Sequence, residues 1–453
     1  MQEATKEASA LAGGKLLRVL GLAFGLAVMV GLTIGMGILR TPGEVAAKVP
    51  TESLFLMVWV LGAGYALLGA LSMAELATLR PRSGGLYPMV HDALGPFAGF
   101  VSGWTDWLGF VGTMAAVAIV LGEYVGPLVP ALIGHEALTG SFVVVVFALF
   151  QWRGIRVGNA VQLVTSSMKG IALIALAVAA FAMVVPAAPV ETMARAVQVP
   201  GGALLIAAIV VALQSAISTY DGWSAPVYFG EEIKNPGREI PRAMIGGVLL
   251  VMLIYLALNV AFLRVVGIEA MAGDPFVAAT AASRLFGPIG DTALRVLMII
   301  SLIASVNALL LGGSRIPYAM SRDRLMPPIM GTVNAGGTPV PGLVVEVLVS
   351  LVLIATGTFN SLIAMLAFFF VANYVLVFVS LFVQRRRAPD APRPFRVPLY
   401  PFVPGLALLG SLVFLVASIW SDPEDSLVAI AMLAVSWPIY RLVCARARQE
   451  PGN

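Results

Sequence analysis

Two stretches, Thr33-Ile34-Gly35-Met36-Gly37 and Ser218-Thr219-Tyr220-Asp221-Gly222-Trp223, each interrupt a long apolar run. Neither continues a helix cleanly: glycine admits non-helical backbone, and Ser, Thr and Asp compete for backbone hydrogen bonds. In a bilayer such an interruption bares N–H and C=O groups that lipid cannot satisfy, so something polar must meet them. A small zwitterionic guest fits both gaps.

The bilayer itself follows from composition. Of 453 residues, 59% are hydrophobic and 11% charged, with a mean hydropathy of +0.94, well outside the range of soluble domains. Apolar runs near the roughly 20 residues that cross a membrane recur about twelve times. We place them at 16–48, 53–79, 96–124, 141–152, 159–185, 201–229, 240–266, 292–320, 341–356, 361–383, 404–420 and 427–443. The expected class is an all-α polytopic membrane protein of 12 transmembrane helices. The polar start 1–14 leads into a full span with no small-residue cleavage site, so that span is read as the first helix and not as a signal peptide.

A pI near 9.3 reflects topology and not nucleic acid. With the N-terminus inside, Lys6, Lys15, Arg18, Arg80, Arg82, Arg153, Arg156, Lys234, Arg238, Arg242, Arg322, Arg324, Arg385 to Arg387, Arg393, Arg396, Arg441, Arg446 and Arg448 fall on the cytoplasmic side. Chiefly Lys48, Arg195, Arg264 and Arg284 fall on the other. This asymmetry puts both termini in the cytoplasm. The lone Cys444 can form no internal disulfide, and His91 and His135 have no metal-site spacing.

Breaks in the first and sixth spans imply a repeat of five helices. Since the first span enters from the cytoplasm and the sixth from outside, the repeats are inverted, an arrangement that puts the site at mid-membrane between them. The repeats are expected at 1–185 and 201–384, with two appended helices at 404–444.

Chemistry follows from the breaks. Gly35 and Gly37 allow an unwound turn, after which a half-helix from Ile38 points free N–H groups and a positive dipole end at the gap, a place for a carboxylate. Close helix packing is the competing reading of a lone Gly-x-Gly. Around Ile217 to Thr219 the outer half of the sixth helix ends in carbonyls, which suit an ammonium. Asp221 reads equally as a helix cap or a substrate contact. Lys169 lies about 16 Å into the fifth span at 1.5 Å per residue, too deep to snorkel comfortably. It is read as a fixed or titratable positive charge against carbonyls of the broken first helix. Asp106 is expected to be paired inside the bundle, Glu75 and Glu346 to be structural, and Asn259, Asn307 and Asn373 to bond between helices. Phe368-Phe369-Phe370 is read as packing.

Several motifs then point to a family. Gly35-Met36-Gly37-Ile38, Thr41-Pro42-Gly43, Ala74-Glu75-Leu76 and Pro81-Arg82-Ser83-Gly84-Gly85 resemble the opening of the amino acid–polyamine–organocation superfamily. Tyr220-Asp221-Gly222-Trp223, Glu231-Glu232-Ile233-Lys234-Asn235-Pro236, Ile240-Pro241-Arg242-Ala243, Ser305-Val306-Asn307, Ser314-Arg315, Met320-Ser321-Arg322-Asp323 and Gln162 to Lys169 narrow the resemblance to the L-type amino acid transporters. It implies a five-plus-five inverted-repeat (LeuT-like) fold, sodium-independent amino acid transport, often by obligatory exchange, and a lysine in the sodium position, here Lys169. Three positions depart from the pattern: Met36 replaces a small hydroxyl residue, Ser218 an aromatic gate, and Ser224 an asparagine. The extracellular cysteine that tethers a glycoprotein in animal members has no counterpart, so no disulfide-linked partner is expected.

The expectation is therefore a permease of a prokaryotic cytoplasmic membrane. The N–H groups of Gly35 to Gly37 would hold the carboxylate and the carbonyls around Ile217 to Thr219 the ammonium, with Thr33 and Ile34 also in the binding site, while Tyr220, Trp223 and Ser224 shape the side-chain pocket. No catalytic residue, metal or cofactor is expected. Amino acid exchange is the first reading, and proton symport of an amino acid or polyamine through Lys169 the alternative. An ion channel would need charged rings, and a membrane enzyme a nucleophile–base pair or metal ligands at depth.

Overall fold

The computed structural model describes residues 15–49, 51–183, 202–356, 359–421 and 423–449. The expected loop 186–200, the polar start 1–14 and the side chain of Cys444 lie outside what is described. Lipid leaves backbone groups no partner beyond their own segment, and the described chain is helical nearly throughout. Two isolated bridges, Leu20 with Ile233 and Ser83 with Phe229, are its extended pairings.

The first span is two helices, α1 (Leu22–Thr33) and α2 (Gly37–Lys48), bent by 49° at the residues between them. Then come α3 (Glu52–Leu79), the short α4 (Tyr87–Leu94), α5 (Pro96–Val125), α6 (Glu136–Trp152), α7 (Ile155–Ala182) and α8 (Ala203–Tyr220). The second half holds α9 (Pro236–Val265), the short α10 (Ile268–Met271) and α11 (Val277–Phe286), α12 (Pro288–Gly313) and α13 (Arg315–Arg322). It closes with α14 (Val340–Thr356), α15 (Phe359–Arg387), α16 (Phe402–Ser421) and α17 (Pro423–Gln449). Proline opens α5, α9 and α12, where its missing N–H costs no hydrogen bond.

Among the described residues eight helices are long and apolar enough to cross a bilayer, or nine with the bent α1–α2 pair taken as one span. The other three expected spans are shorter apolar helices, of 17 residues in α6 and α14 and 18 in α8. The protein is a multi-pass membrane protein.

Three boundaries differ from expectation. The sixth span does not run as helix over 201–229: α8 stops at Tyr220, Asp221 is extended, Gly222 has φ +110, and one 3-10 turn, Ala225–Tyr228, replaces an α-helical second half. Gly222 takes a backbone conformation other residues resist, and Pro226 removes a donor just beyond it. The eighth span, expected as 292–320, is divided at Ser314 into α12 and α13. The fourth begins at Glu136 and not at 141.

Polar side chains tie the scaffold together. Ser166 and Gln162 on α7 both donate to the Ala27 carbonyl of α1, at 2.7 and 3.3 Å. Asn307 Nδ2 on α12 donates to Gln162 Oε1 at 2.7 Å, and Gln151 Nε2 on α6 donates to the Asn307 carbonyl at 2.8 Å. Asn373 reaches Thr105 Oγ1 at 2.9 Å. Asn259, by contrast, donates to Tyr255 of its own helix.

Glu75, 1% exposed at the end of α3, accepts from Arg385 Nη2 at 2.6 Å and the Val397 N–H at 2.8 Å and forms an ion pair with Arg393, Nε at 3.0 Å. It pins the basic linker to the bundle. Glu75→Ala leaves Arg393 buried without its counter-charge and should cost about 3–5 kcal/mol of stability, read as a fall in the melting temperature of detergent-solubilised protein. An unchanged melting curve would contradict the assignment.

Candidate functional site

Unwinding at Ile34 to Met36 frees carbonyls at the end of α1, and those of Gly31, Thr33 and Ile34 meet donors from other helices. Lys169, wholly buried on α7, points its Nζ at three acceptors: the Gly31 carbonyl at 3.0 Å, the Ile34 carbonyl, and Ser305 Oγ at 3.3 Å. Those contacts use all three ammonium donors. From α12, Ser305 Oγ donates to the Gly31 carbonyl at 2.8 Å and Ser301 Oγ to the Ile34 carbonyl at 3.2 Å. The lysine side chain expected against the first break is there.

A tyrosine joins the two breaks. Tyr255 of α9 directs its hydroxyl to the Thr33 carbonyl at 2.9 Å and the Thr219 carbonyl at 3.1 Å, the last turns of α1 and α8. Thr219 Oγ1 also meets Thr41 Oγ1 of α2 at 3.1 Å. Gly37 makes the approach possible, since a Cβ there would lie 2.9 Å from Thr219 Cγ2. Gly222, with positive φ, puts its α-carbon against Thr33, where a Cβ would meet the Thr33 nitrogen at 2.7 Å.

Between the breaks lies a cavity of about 330 Å³, within the usual range for small-molecule sites. It is lined by Thr33, Gly35, Met36 and Gly37 from the first break and by Ile217, Ser218, Thr219, Asp221 and Trp223 from the second. Tyr65, Thr113, Ala116, Val117, Leu302, Ser305, Leu309, Phe370, Val371, Tyr374 and Phe414 complete most of the wall. Gly35 faces open space, with nothing within 4 Å of where a Cβ would stand. Thr33 Oγ1 is buried and has no partner among the described residues. A smaller space of about 90 Å³ adjoins it, lined in part by Ser224, Tyr228, Phe110, Asp221 and Tyr374.

Most expected site residues are thus brought together, with corrections. Ile34 does not line the cavity; its carbonyl is taken by Lys169 and Ser301. The Gly35 N–H donates to the Thr33 carbonyl at 3.1 Å, and those of Leu39 and Arg40 to the Met36 carbonyl at 3.1 and 3.2 Å, so the donors left for an anion are the N–H groups at the very start of α2, Gly37 and Ile38. Tyr220 faces away from the cavity and packs with Trp59 and Tyr255, ring centroids 6.1 and 4.9 Å off. Phe370 is a wall residue and not packing alone, whereas Phe368 and Phe369 form a separate cluster with Ala429. Asp221 accepts a hydrogen bond from the Tyr374 hydroxyl. Asp106 is paired, Tyr228 reaching its two oxygens at 2.8 and 3.0 Å.

Tyr255, Ser301, Tyr65 and Tyr374 were not anticipated. Hydroxyls at depth on apolar helices were the available signal, but their partners come from distant helices.

One end of the bundle is shut. Arg82 meets Asp323 at 2.6 Å, Tyr87 donates to the same carboxylate at 2.7 Å, and Arg322 pairs with Glu231 at 2.6 Å. Leu20 and the segment after the second break exchange backbone bonds, Leu20 N–H to the Glu232 carbonyl and Lys234 N–H to the Leu20 carbonyl, each 2.9 Å.

The amino acid permease family profile matches residues 16–443. The chain belongs to that family. Among this permease's relatives is the serine/threonine exchanger SteT of Bacillus subtilis (strain 168), 29% identical over 433 residues, 94% of this chain and 96% of that protein. The b(0,+)-type amino acid transporter 1 of Mus musculus is 28% identical over 418 residues, 90% and 84% of the two chains. The large neutral amino acids transporter small subunit 2 of Homo sapiens is 27% identical over 455 residues, 97% and 83%. These relatives are transporters and not enzymes, and the likeness to the L-type transporters expected from the motifs holds.

The permease's central tie is testable by stability alone. Tyr255→Phe leaves carbonyls of both broken helices without that donor and should cost about 1–3 kcal/mol. Gly37→Leu should destabilise further by parting α2 from α8, whereas Gly35→Ala should leave the melting temperature unchanged. Equal melting of all three would contradict the geometry.

Proposed function

We propose that this permease is a secondary transporter that moves amino acids across a prokaryotic cytoplasmic membrane by alternating access, without sodium, by exchange. One observation carries the reading: a cavity of about 330 Å³ lined by residues of both broken helices. The first turn of α2 offers N–H groups to a carboxylate, while free lone pairs on the carbonyls of Ile217 to Thr219 suit an ammonium. Thr33 Oγ1, without a partner, adds a hydroxyl to the anion side. Trp223 and Ser224 bound the space left for the side chain.

Sodium independence is supported by Lys169, whose ammonium already satisfies the carbonyls of Gly31 and Ile34. Breaks five spans apart support inverted repeats over 1–185 and 201–384, with helices 404–444 appended and 12 spans in all. Both termini then lie in the cytoplasm, and the shut, basic-rich end faces it. The permease works without a disulfide-linked partner. In the other state of the cycle the ion pairs at that end must part. Proton symport through Lys169 is the second reading, favoured by the complete burial of that amine.

Reconstituted in liposomes, the protein should take up labelled amino acid when amino acid is present inside, equally well with sodium or choline outside and with or without a pH gradient. Uptake into empty vesicles driven by a pH gradient would overturn exchange in favour of symport. Lys169→Ala should reduce exchange at least about tenfold, since it removes the amine donor that two buried carbonyls share and leaves them only the serine hydroxyls, while circular dichroism shows the helices retained. Wild-type flux in that variant would remove Lys169 from the mechanism.

A further inference from the structure

Arg315 is a buried cation with two buried carboxylates near it and only one in use. Its side chain is wholly buried, as are those of Glu232 and Glu346. Glu232 grips the guanidinium with both oxygens, at 3.0 Å from Nε and 2.9 Å from Nη2. Nη1 turns back over the end of α12, donating to the Leu311 carbonyl at 2.7 Å and to Ser314 Oγ at 3.1 Å. Glu346 lies against that same turn: a Cβ on Gly313 would be 2.2 Å from its Oε1. Neither Glu346 oxygen has a hydrogen-bond partner among the described residues. Arg315 Nη1 is bonded to that turn as well, through the Leu311 carbonyl and Ser314 Oγ. A fully buried carboxyl group without a donor is costly and calls for an explanation.

The two carboxylates sit on different kinds of element. Glu232 belongs to the non-helical segment between the second break and α9, tied by its own carbonyl to Leu20. Glu346 stands on α14, a regular helix packed so closely on Ser314 that a Cβ at Gly342 would be 2.6 Å from the Ser314 carbonyl. When the segment carrying Glu232 leaves, Arg315 would be stranded as an unpaired buried charge, the state that makes breaking such pairs expensive.

We propose that Glu346 is the standby acceptor for Arg315, receiving the guanidinium when Glu232 moves away, so that the shut end can open without a bare buried cation. This role rests on the alternating-access reading. Glu346 touches no substrate; it is a positioning residue, acting on the rate at which the cavity changes sides.

The test is Glu346→Gln, reconstituted and compared with wild type for substrate affinity and for exchange. Affinity measured on the purified protein and KM should be unchanged, and turnover should fall about tenfold or more because the open state has lost its ion pair. Glu346→Asp, which keeps the charge, should recover part of the rate. Wild-type turnover in Glu346→Gln would overturn the proposal, as would an equal loss of affinity and turnover. Should Glu346→Gln fail to fold, Glu346→Asp decides: a turnover defect at unchanged KM supports the role, and wild-type kinetics overturn it. Wild-type protein that binds amino acid but never exchanges it would sink the alternating-access reading instead, a separate result.

Discussion

A backbone carbonyl inside a bilayer must find a donor within the protein, and the carbonyls at the end of α1 set the terms for everything around them. The carbonyls of Gly31 and Ile34 would be unsatisfied where the helix stops, and that of Thr33 would have only the Gly35 N–H. Lys169 reaches them from α7, Ser301 and Ser305 from α12, and Tyr255 from α9. Three helices of the scaffold are thereby anchored to one unwound turn. A break that would be a defect in a soluble helix becomes the fixed point of the bundle, and the cavity is the space left beside it.

The same tie explains why two glycines matter differently from the rest. Gly37 lets α2 touch the Thr219 side chain, and Gly222 lets the second break lay its backbone on that of Thr33, so the two interrupted helices meet directly. Tyr255 then serves both with a single hydroxyl. The walls beyond this junction are mostly apolar, with polar atoms confined to a few positions, as expected of a site that orients a guest by its charged ends.

Much of this was legible in the chain. Glycine and Thr-rich interruptions in apolar runs mark breaks because lipid forbids open backbone, and a lysine eleven positions into a span has few physical reasons to be there. The breaks and Lys169 were therefore placed correctly. Direction is not legible in the same way. Ile34 and Tyr220 sit in the right segments, yet one turns its carbonyl to Lys169 and the other packs on Trp59. A residue's position along a broken helix does not tell which way an irregular turn points it. Long-range partners were equally hidden. Nothing near Glu75 in sequence announces Arg385 and Arg393, and nothing near Thr33 announces Tyr255, because those pairings exist only once distant helices pack.

The central claim, that one small zwitterion is held between the two breaks, is tested most directly by a density map of the protein saturated with a transported amino acid. The account predicts solute density in the cavity, its carboxylate at the first turn of α2 and its ammonium beside the carbonyls of Ile217 to Thr219, with Lys169 still bound to Gly31 and Ile34. Density elsewhere in the bundle, or a solute lying with its two charges reversed, would contradict it.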